Sequence, residues 1–251
     1  MKSVEERYEE LCSLWSSSNA SHSPDIFSDH LLVRVVSGLH MIDGIDAPYN
    51  RTREAMAYDT VINYSGNIRD FSTVMNSNGV ATFLNMCNST KRPVSKELIC
   101  HTHSLLMFSS LSSKYYTRGE RAGEFKKSSY CVGRHDVGAD PDDVPILIGE
   151  LCTNLPKWIE NDGSLSAAAR FHCNLQNIHP FADGNGRLGR WLLSYILVLN
   201  NHPPVVFDPA MRTEYYQALE QFDTTRKWNE MIDVLIHMVV SGATAWKYLV
   251  G

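Results

Sequence analysis

The sequence predicts a mainly α-helical bundle that carries one β-hairpin. Apolar residues recur at helical spacing through most of the chain, whereas only the run from Ser129 to Val132 has the composition of a short strand. The 251 residues are 43% hydrophobic and 20% charged, which is ordinary for a globular protein with a substantial core. Disorder, collagen-like structure and coiled coil are therefore poor descriptions of the whole chain.

Residues 1–91 are predicted to form a helical extension. Val4, Tyr8 and Leu11 fall on one face of its first helix, and the serine-rich segment that follows is typical of a connection. The predicted elements are a helix over 1–15, a connection over 16–24, a helix over 29–42, a loop over 45–53 and a helix over 55–71 interrupted at 65–67.

Residues 92–251 carry the remaining predicted helices and the predicted hairpin. Ser95 can cap the first of them, and Glu97 lies in its first turn. Gly119 and Gly123 precede the strand-like run, so a hairpin is expected there. The predicted elements are a helix over 94–109, a hairpin over 115–133, a helix over 140–161, a helix over 167–175 capped by Ser164, and helices over 185–199, 214–222 and 229–249.

Charge and cysteine usage narrow the classes of function. The chain has 23 Lys and Arg against 28 Asp and Glu, a net charge of −5, so no broad nucleic-acid surface is expected. The six cysteines are spread without a C-x-x-C pair, which favours reduced thiols. The amino terminus lacks the apolar centre of a signal peptide, and no apolar run is long enough to span a membrane. A cytoplasmic protein is expected, although secretion by a specialised route would leave no readable mark.

One segment, residues 177–190, combines features of a phosphate site. An apolar repeat that starts at Leu188 indicates a helix beginning near Asn185, after a short loop. The first N–H groups of a helix are unpaired and lie at the positive end of its dipole. Gly184 and Gly186 allow an anion to approach these groups closely.

Charged side chains in the same segment suit phosphate chemistry. Arg187 and Arg190 lie in the first helical turns, where cations are unfavourable unless an anion offsets them, and two guanidinium groups suit a polyphosphate. Asp183 is the only carboxylate in the loop and is a candidate Mg²⁺ ligand beside phosphates. His179 suits a general base at neutral pH. Together these residues predict phosphoryl or nucleotidyl transfer.

The run HPFADGNGRLGR resembles the signature of the Fic family, H-x-F-x-[D/E]-G-N-G-R-x-x-R. Residues 122–126 resemble the flap hairpin of that family, 103–106 the helix before the flap, and 212–216 a helix after the signature. The resemblance covers roughly residues 92–245 and implies the Fic fold, a helical bundle with one β-hairpin flap. It implies that residues 92–251 form the catalytic core with its carboxy-terminal helices. All eight specified signature positions match: His179, Phe181, Asp183, Gly184, Asn185, Gly186, Arg187 and Arg190.

The resemblance implies a protein adenylyltransferase that moves AMP from ATP to a Ser, Thr or Tyr hydroxyl of a target protein, and also to itself. In that mechanism His179 deprotonates the hydroxyl, and Asp183 holds Mg²⁺ or Mn²⁺. Gly186 favours AMP transfer, because the phosphorylating branch of the wider family has Lys there. The target protein would dock on the flap near residues 122–133. The expected nucleotide contacts are Gly184, Asn185, Gly186, Arg187, Arg190 and Tyr216.

Many Fic proteins carry an inhibitory helix, [S/T]-x-x-x-E-[G/N], whose Glu pairs with the second signature arginine. Residues 61–67, inside a degenerate inhibitory-helix-like segment near 55–70, resemble it. Ser65 stands at the Glu position, however, and cannot form a bidentate pair with Arg190. The sequence therefore predicts that ordinary self-inhibition is missing or that another acidic residue takes the place of the Glu. The alternatives are a separate inhibitor protein and a misaligned segment. The replacements considered are Glu54 and Asp59.

Two other functions fit the same residues. The site could use another donor, for UMP or phosphocholine transfer, because the base pocket is not readable and Asp223 stands where a eukaryotic-type relative has Asn. The second alternative is a nucleotide-binding regulatory module without turnover, against which the intact His179 argues. Neither nucleic acid nor a membrane is expected as a partner, and a dimer is left open.

Overall fold

The computed structural model describes residues 2–18, 23, 27, 29–58, 68–132 and 135–245. Within these ranges the chain is mostly α-helical, so the predicted mainly α class is confirmed. The helices are α1 (Val4–Ser16), α2 (Asp29–Met41), α3 (Tyr49–Tyr58), α4 (Ile68–Ser89), α5 (Lys96–Leu106), α6 (Ser113–Tyr116), α7 (Val144–Asp162), α8 (Ser164–Ile178), α9 (Asn185–Leu199), α10 (Arg212–Thr225) and α11 (Asn229–Gly242). Two short strands, β1 (Tyr130–Val132) and β2 (His135–Val137), pair antiparallel, and 3₁₀ turns cover Pro209–Met211 and Ala243–Ala245.

Helix α9 lies at the centre of the hydrophobic core. Its residues from Arg187 to Val198 are all buried, as expected of a helix surrounded by other helices. Helix α8 packs on α9 and on α7, while α2, α4 and α5 also contact α9. Helix α1 packs on α11, and the Tyr8 hydroxyl lies 3.0 Å from His202 Nδ1. The predicted extension and the predicted catalytic core therefore share one core, and their division stays a sequence prediction.

Two expectations for the amino-terminal half are wrong. Residues 49–53, predicted as a loop, belong to α3, and the 22-residue helix α4 extends far beyond the predicted end at residue 71. Helix α4 buries polar side chains that hide its helical pattern in the sequence. Ser77 donates to the Thr73 carbonyl at 3.2 Å, and the Asn85 side chain bonds both the N–H and the C=O of Phe27.

The predicted hairpin over residues 115–133 is mostly not strand. Its first half forms α6 and a series of turns, with Gly119 and Gly123 both at φ +83°. The paired strands begin only at Tyr130. The sequence overestimated the hairpin because turn glycines occur in successive tight turns as well as in hairpins. The role of this segment as a flap stays a prediction.

Three helix ends also differ from expectation. Helix α7 begins at Val144 because the Asp140 carboxylate accepts the Asp142 N–H at 3.0 Å and forms a turn first. Ser164 is the first residue of α8 and does not cap it, whereas the predicted Ser95 cap of α5 is confirmed by its 3.2 Å bond from the Leu98 N–H. Helix α11 ends at Gly242, where the chain tightens into a 3₁₀ turn, and residues 246–249 of the predicted helix lie outside the described residues.

The thiols follow the prediction of reduced cysteines. The cysteines whose side chains are described are all free: Cys12, Cys87, Cys100, Cys152 and Cys173. In the part of the chain that the structure describes, no helix is both long enough and apolar enough to cross a lipid bilayer.

Candidate active site

The predicted base His179 lies at the junction of α8 and the signature loop. It ends α8 in the left-handed conformation, at φ 51° and ψ 63°, and its N–H donates to the Leu175 carbonyl at 3.0 Å. Non-glycine residues rarely adopt this conformation, and those that do are concentrated at functional sites. The local fold thus holds the base in a fixed turn between two core helices.

Backbone hydrogen bonds from the flap segment lie on both sides of His179. The Lys126 N–H donates to the Pro180 carbonyl, and the Ala139 N–H donates to the Ile178 carbonyl, each at 2.9 Å. The turn before β1 and the residues after β2 are therefore both attached to the loop that carries His179.

Gly138 makes the second of these contacts sterically feasible. Its φ is +83°, and a Cβ atom there would lie 2.5 Å from both the His179 Cβ and the Ile178 carbonyl oxygen. Because contacts that short do not occur, any side chain at position 138 would push the flap segment away from His179.

The environment of His179 keeps its imidazole neutral. Burial, and then the nearby Lys126 ammonium, lower the pKa of His179 to about 4. Burial also lowers the pKa of Lys126 itself. A histidine with a depressed pKa is unprotonated at neutral pH and is able to accept a proton.

The signature loop is closed by Asn185. The Phe181 N–H donates to Asn185 Oδ1 at 2.9 Å, and Asn185 Nδ2 donates to the Phe181 carbonyl at 2.7 Å. Phe181 itself is completely buried. The Asn185 side chain is thus used inside the loop, so its predicted nucleotide contact would come from its backbone N–H.

The start of α9 places backbone donors after a glycine cap. Gly184 caps the helix at φ +81°, and the first N–H groups of a helix lack intrahelical acceptors. A Cβ atom at Gly186 would lie 3.2 Å from Arg190 Nη1 and 3.7 Å from Asp43 Oδ1. A side chain at position 186 would therefore press against the Arg190 guanidinium.

The predicted metal ligand Asp183 is paired with two arginines. Arg69 contacts its Oδ2, and Arg187 Nη2 lies 3.4 Å from its Oδ1. Its side chain keeps 23% of its surface exposed. Among the described residues, no group of three His, Cys, Asp or Glu side chains could hold a metal ion. One accessible carboxylate fits a divalent cation whose other ligands are phosphate oxygens and water.

The predicted nucleotide contact Arg190 is paired with an acidic residue that the sequence analysis did not find. Its side chain is only 1% exposed, and Nη2 donates to Asp43 Oδ2 at 2.5 Å and to the Leu39 carbonyl at 2.9 Å. The Tyr216 hydroxyl donates to Asp43 Oδ1 at 2.9 Å. Asp43 thus joins Tyr216, predicted as a nucleotide contact, to the signature arginine.

Charge coupling in this cluster is strong. Burial alone would lower the pKa of Arg190, but the Asp43 carboxylate raises it above its ordinary value. Burial alone would raise the pKa of Asp43, but the Arg190 guanidinium lowers it below its ordinary value. Burial lowers the pKa of Arg187 to about 10, so it stays a cation at neutral pH. The buried Nε of Arg190 has no hydrogen-bond partner among the described residues.

Asp43 answers part of the question about self-inhibition. Among the described residues, Asp43 is the one whose carboxylate pairs with Arg190. The sequence analysis considered Glu54 and Asp59 as replacements for the inhibitory Glu, and did not consider Asp43. Residues 59–67, which include Asp59 and Ser65, lie outside the described residues. Asp43 is followed by Gly44 directly after a helix, and this acid–glycine pair was the signal that could have found it.

Comparison with known proteins agrees with this geometry. Residues 93–197 match the model of the Fic/DOC family. The proteins named protein adenylyltransferase Fic from Drosophila virilis and Drosophila melanogaster are 36% and 33% identical over 103 residues. That segment covers 39% of this chain but only 20% of each relative.

Solved structures show the same fold over nearly the whole chain. A Fic-domain-containing signalling protein from Bacteroides thetaiotaomicron aligns with a TM-score of 0.77 and 18% identity, over 98% of this chain and 96% of that one. Fic-1 from C. elegans aligns with a TM-score of 0.73 and 20% identity, over 98% of this chain and 72% of that one. The signature and the match to the Fic/DOC family model coincide on residues 93–197, within the fold that this chain shares with the solved structures.

Proposed function

We propose that this chain is a protein adenylyltransferase that transfers AMP from ATP to a Ser, Thr or Tyr hydroxyl of a target protein. The observation that carries the proposal is the neutral imidazole of His179, held between flap contacts on one side and the α9 amino terminus on the other. The Drosophila relatives named protein adenylyltransferase support it over the shared segment.

The polyphosphate would lie over the start of α9. Backbone N–H groups of Gly184, Asn185 and Gly186 would donate to phosphate oxygens at the positive end of the helix dipole. Arg187 and Arg190 supply the positive charge. A triphosphate suits two buried guanidinium groups better than a single phosphate does.

His179 would act on the attacking hydroxyl. Its neutral imidazole takes the proton as the hydroxyl oxygen forms a bond to the α-phosphorus of ATP. The bond from the α-phosphorus to the bridging oxygen breaks, and pyrophosphate leaves with that electron pair. The target segment would lie along residues 122–133, because the flap backbone is attached on both sides of His179.

Asp183 would hold Mg²⁺ or Mn²⁺ together with the phosphates. When bound, such an ion would neutralise charge on the leaving pyrophosphate. The accessible carboxylate of Asp183 fits this role, and Arg69 and Arg187 balance its charge in the structure.

Asp43 would restrain the enzyme. A carboxylate on Arg190 occupies the guanidinium that the γ-phosphate needs, and Tyr216 holds that carboxylate from the other side. ATP must therefore compete with Asp43 for Arg190. Asp43, in the turn directly after α2, would thus take the role of the inhibitory Glu, whose expected position is occupied by Ser65.

The test is ATP-dependent labelling of the purified protein and of a cell lysate depleted of nucleotides. The wild type should incorporate label from α-labelled ATP and none from γ-labelled ATP. His179→Ala should bind ATP but incorporate no label, and His237→Ala, which changes an exposed histidine on α11, should behave like the wild type. Labelling by His179→Ala, or transfer of the γ-phosphate, would contradict the proposal.

A further inference from the structure

We propose that His103 is a positioning residue that links the flap turn at Gly123 to the phosphate loop at Asp183. Nucleotide binding at the phosphate loop would then order the flap turn. The proposal rests on the proposed function, because it takes Asp183 and the flap as parts of one site. The residue lies near the end of α5, outside the signature, and is only 1% exposed.

The two ring nitrogens of His103 bond two different loops. The Gly123 N–H donates to Nδ1 at 2.8 Å. Because Nδ1 accepts, the neutral ring carries its hydrogen on Nε2, which lies 2.9 Å from the Asp183 carbonyl oxygen and donates to it. The imidazole thus bridges the flap turn and the residue predicted to hold the metal.

Both loops are pressed against α5 at this point. A Cβ atom at Gly123 would lie 2.7 Å from the Ser104 Cβ, and one at Gly184 would lie 2.6 Å from Met107 Sδ. Both glycines have φ above +80°, so neither position accepts a side chain without displacing a loop. The close approach makes the two hydrogen bonds sensitive to small loop movements.

The ring is also held by stacking. It lies parallel to Phe181 of the signature, with the ring centroids 3.7 Å apart and an interplanar angle of 8°. The ring of Phe125, in the flap turn, packs on the same Phe181 ring, with the two ring centroids 5.4 Å apart. Burial, and then the nearby Arg187, lower the pKa of His103 to about 3, so its neutral hydrogen-bond pattern persists at neutral pH.

The consequence for function follows from Asp183. Its carbonyl accepts from His103, while its carboxylate is the predicted metal ligand, so fixing the peptide plane also orients the carboxylate. A metal–nucleotide complex that orders Asp183 would strengthen the bond from Nε2. The same ring would then hold Gly123 more firmly, and with it the flap turn that reaches the Pro180 carbonyl through Lys126.

Two substitutions separate this role from simple space filling. Asn can place its amide near the Nδ1 position and keep the bond to Gly123, but it does not reach Asp183. Gln reaches the Nε2 position and keeps the bond to the Asp183 carbonyl, but it loses the bond to Gly123. His101→Asn is the matched control, because His101 is exposed on the same helix.

The experiment measures hydrogen exchange of the peptide that covers residues 120–126, with and without ATP and Mg²⁺, and the affinity for the same ligand by calorimetry. In the wild type the ligand should slow exchange at Gly123. His103→Gln should exchange about tenfold faster without ligand, as expected for loss of one buried hydrogen bond, and keep its ATP affinity. His103→Asn should keep slow exchange without ligand, lose about tenfold in ATP affinity and show no ligand-induced slowing.

Equal losses of affinity and protection in both variants, or ligand-induced slowing that persists in both, would overturn the link. If the wild type binds no ATP, the proposed function fails, and exchange without ligand still decides on the link. Faster exchange at Gly123 in His103→Gln alone would then support it, and equal exchange in both variants would overturn it.

Discussion

The two sides of the signature loop are held by different kinds of interaction. On the flap side, backbone hydrogen bonds from Lys126 and Ala139 attach to the residues that flank His179. On the phosphate side, side chains from the turn after α2 and from α4 contact the functional groups themselves, with Asp43 on Arg190 and Arg69 on Asp183. The flap side is held by backbone hydrogen bonds, and the phosphate side is held by ion pairs between side chains.

This difference indicates where control lies. On the side of the predicted base, the imidazole of His179 is neutral and lies in a fixed turn. On the phosphate side the charges are paired within the protein, so under the proposed function a nucleotide would have to replace these ion pairs. Substitutions on the base side should therefore change the rate of transfer, and those on the phosphate side should change the affinity for nucleotide.

The largest effect is expected from removing the base. His179→Ala should lower transfer by about 10²- to 10⁴-fold, the usual contribution of a general base, and should leave ATP affinity within about twofold of the wild type. Labelling rates and calorimetry on the same preparations check both parts. A large loss of ATP affinity would show that the two sides are not separable in this way.

The second effect concerns the restraint on Arg190. Asp43→Asn removes the carboxylate charge and should raise ATP affinity and self-modification by about tenfold to a hundredfold, the equivalent of a charge-assisted hydrogen bond. The same change leaves a buried guanidinium without its counter-charge, so the melting temperature should fall. Asp46→Asn, at an exposed ion pair nearby, should change neither property. Unchanged ATP affinity in Asp43→Asn would remove the restraint from the account.

A smaller effect is expected at the predicted metal ligand. Arg69→Gln should strengthen binding of Mn²⁺–ATP by up to about fivefold, because a partly exposed ion pair contributes at most about 1 kcal/mol. Electron paramagnetic resonance of Mn²⁺ measures this directly. Arg51→Gln, which removes another exposed pair, is the control. Weaker Mn²⁺ binding in Arg69→Gln would mean that Arg69 supports the metal–nucleotide complex and does not compete with it.

The smallest effect is expected from acid. The pKa of His179 is depressed to about 4, so the base form persists above that pH and is lost only as the pH falls through it. Transfer per folded molecule should therefore fall by less than about a tenth between about pH 7.5 and about pH 5.5. A base with an ordinary histidine pKa would lose about nine tenths of its activity over that range. Such a loss would place the titrating base in a more solvated environment than the structure gives His179.

The sequence predicted the part of the site that is local in the chain. Residues 179–190 form one continuous loop and helix start, so their spacing was enough to place His179, Asp183 and the two arginines together. The helical class also followed from periodic apolar residues. Helix α4 was not recognised over most of its length because buried polar residues such as Ser77 and Asn85 interrupt its apolar pattern.

The contacts that the sequence could not give are distant in the chain. The acid–glycine pair at Asp43 is a local signal for the residue, but its contact with Arg190 depends on the packing of α2 on α9, which no local pattern encodes. The sequence does not distinguish His103, because it does not show that two loops converge on its ring. Propensity and spacing describe single elements, whereas these contacts depend on how elements pack.

The most direct test is intact-mass spectrometry of the purified protein after incubation with ATP and Mg²⁺, beside His179→Ala and Asp43→Asn. The account predicts a gain of one AMP on the wild type, a greater fraction modified in Asp43→Asn, and no gain in His179→Ala. A gain of phosphate alone, or an AMP adduct that also forms in His179→Ala, would contradict AMP transfer by this base.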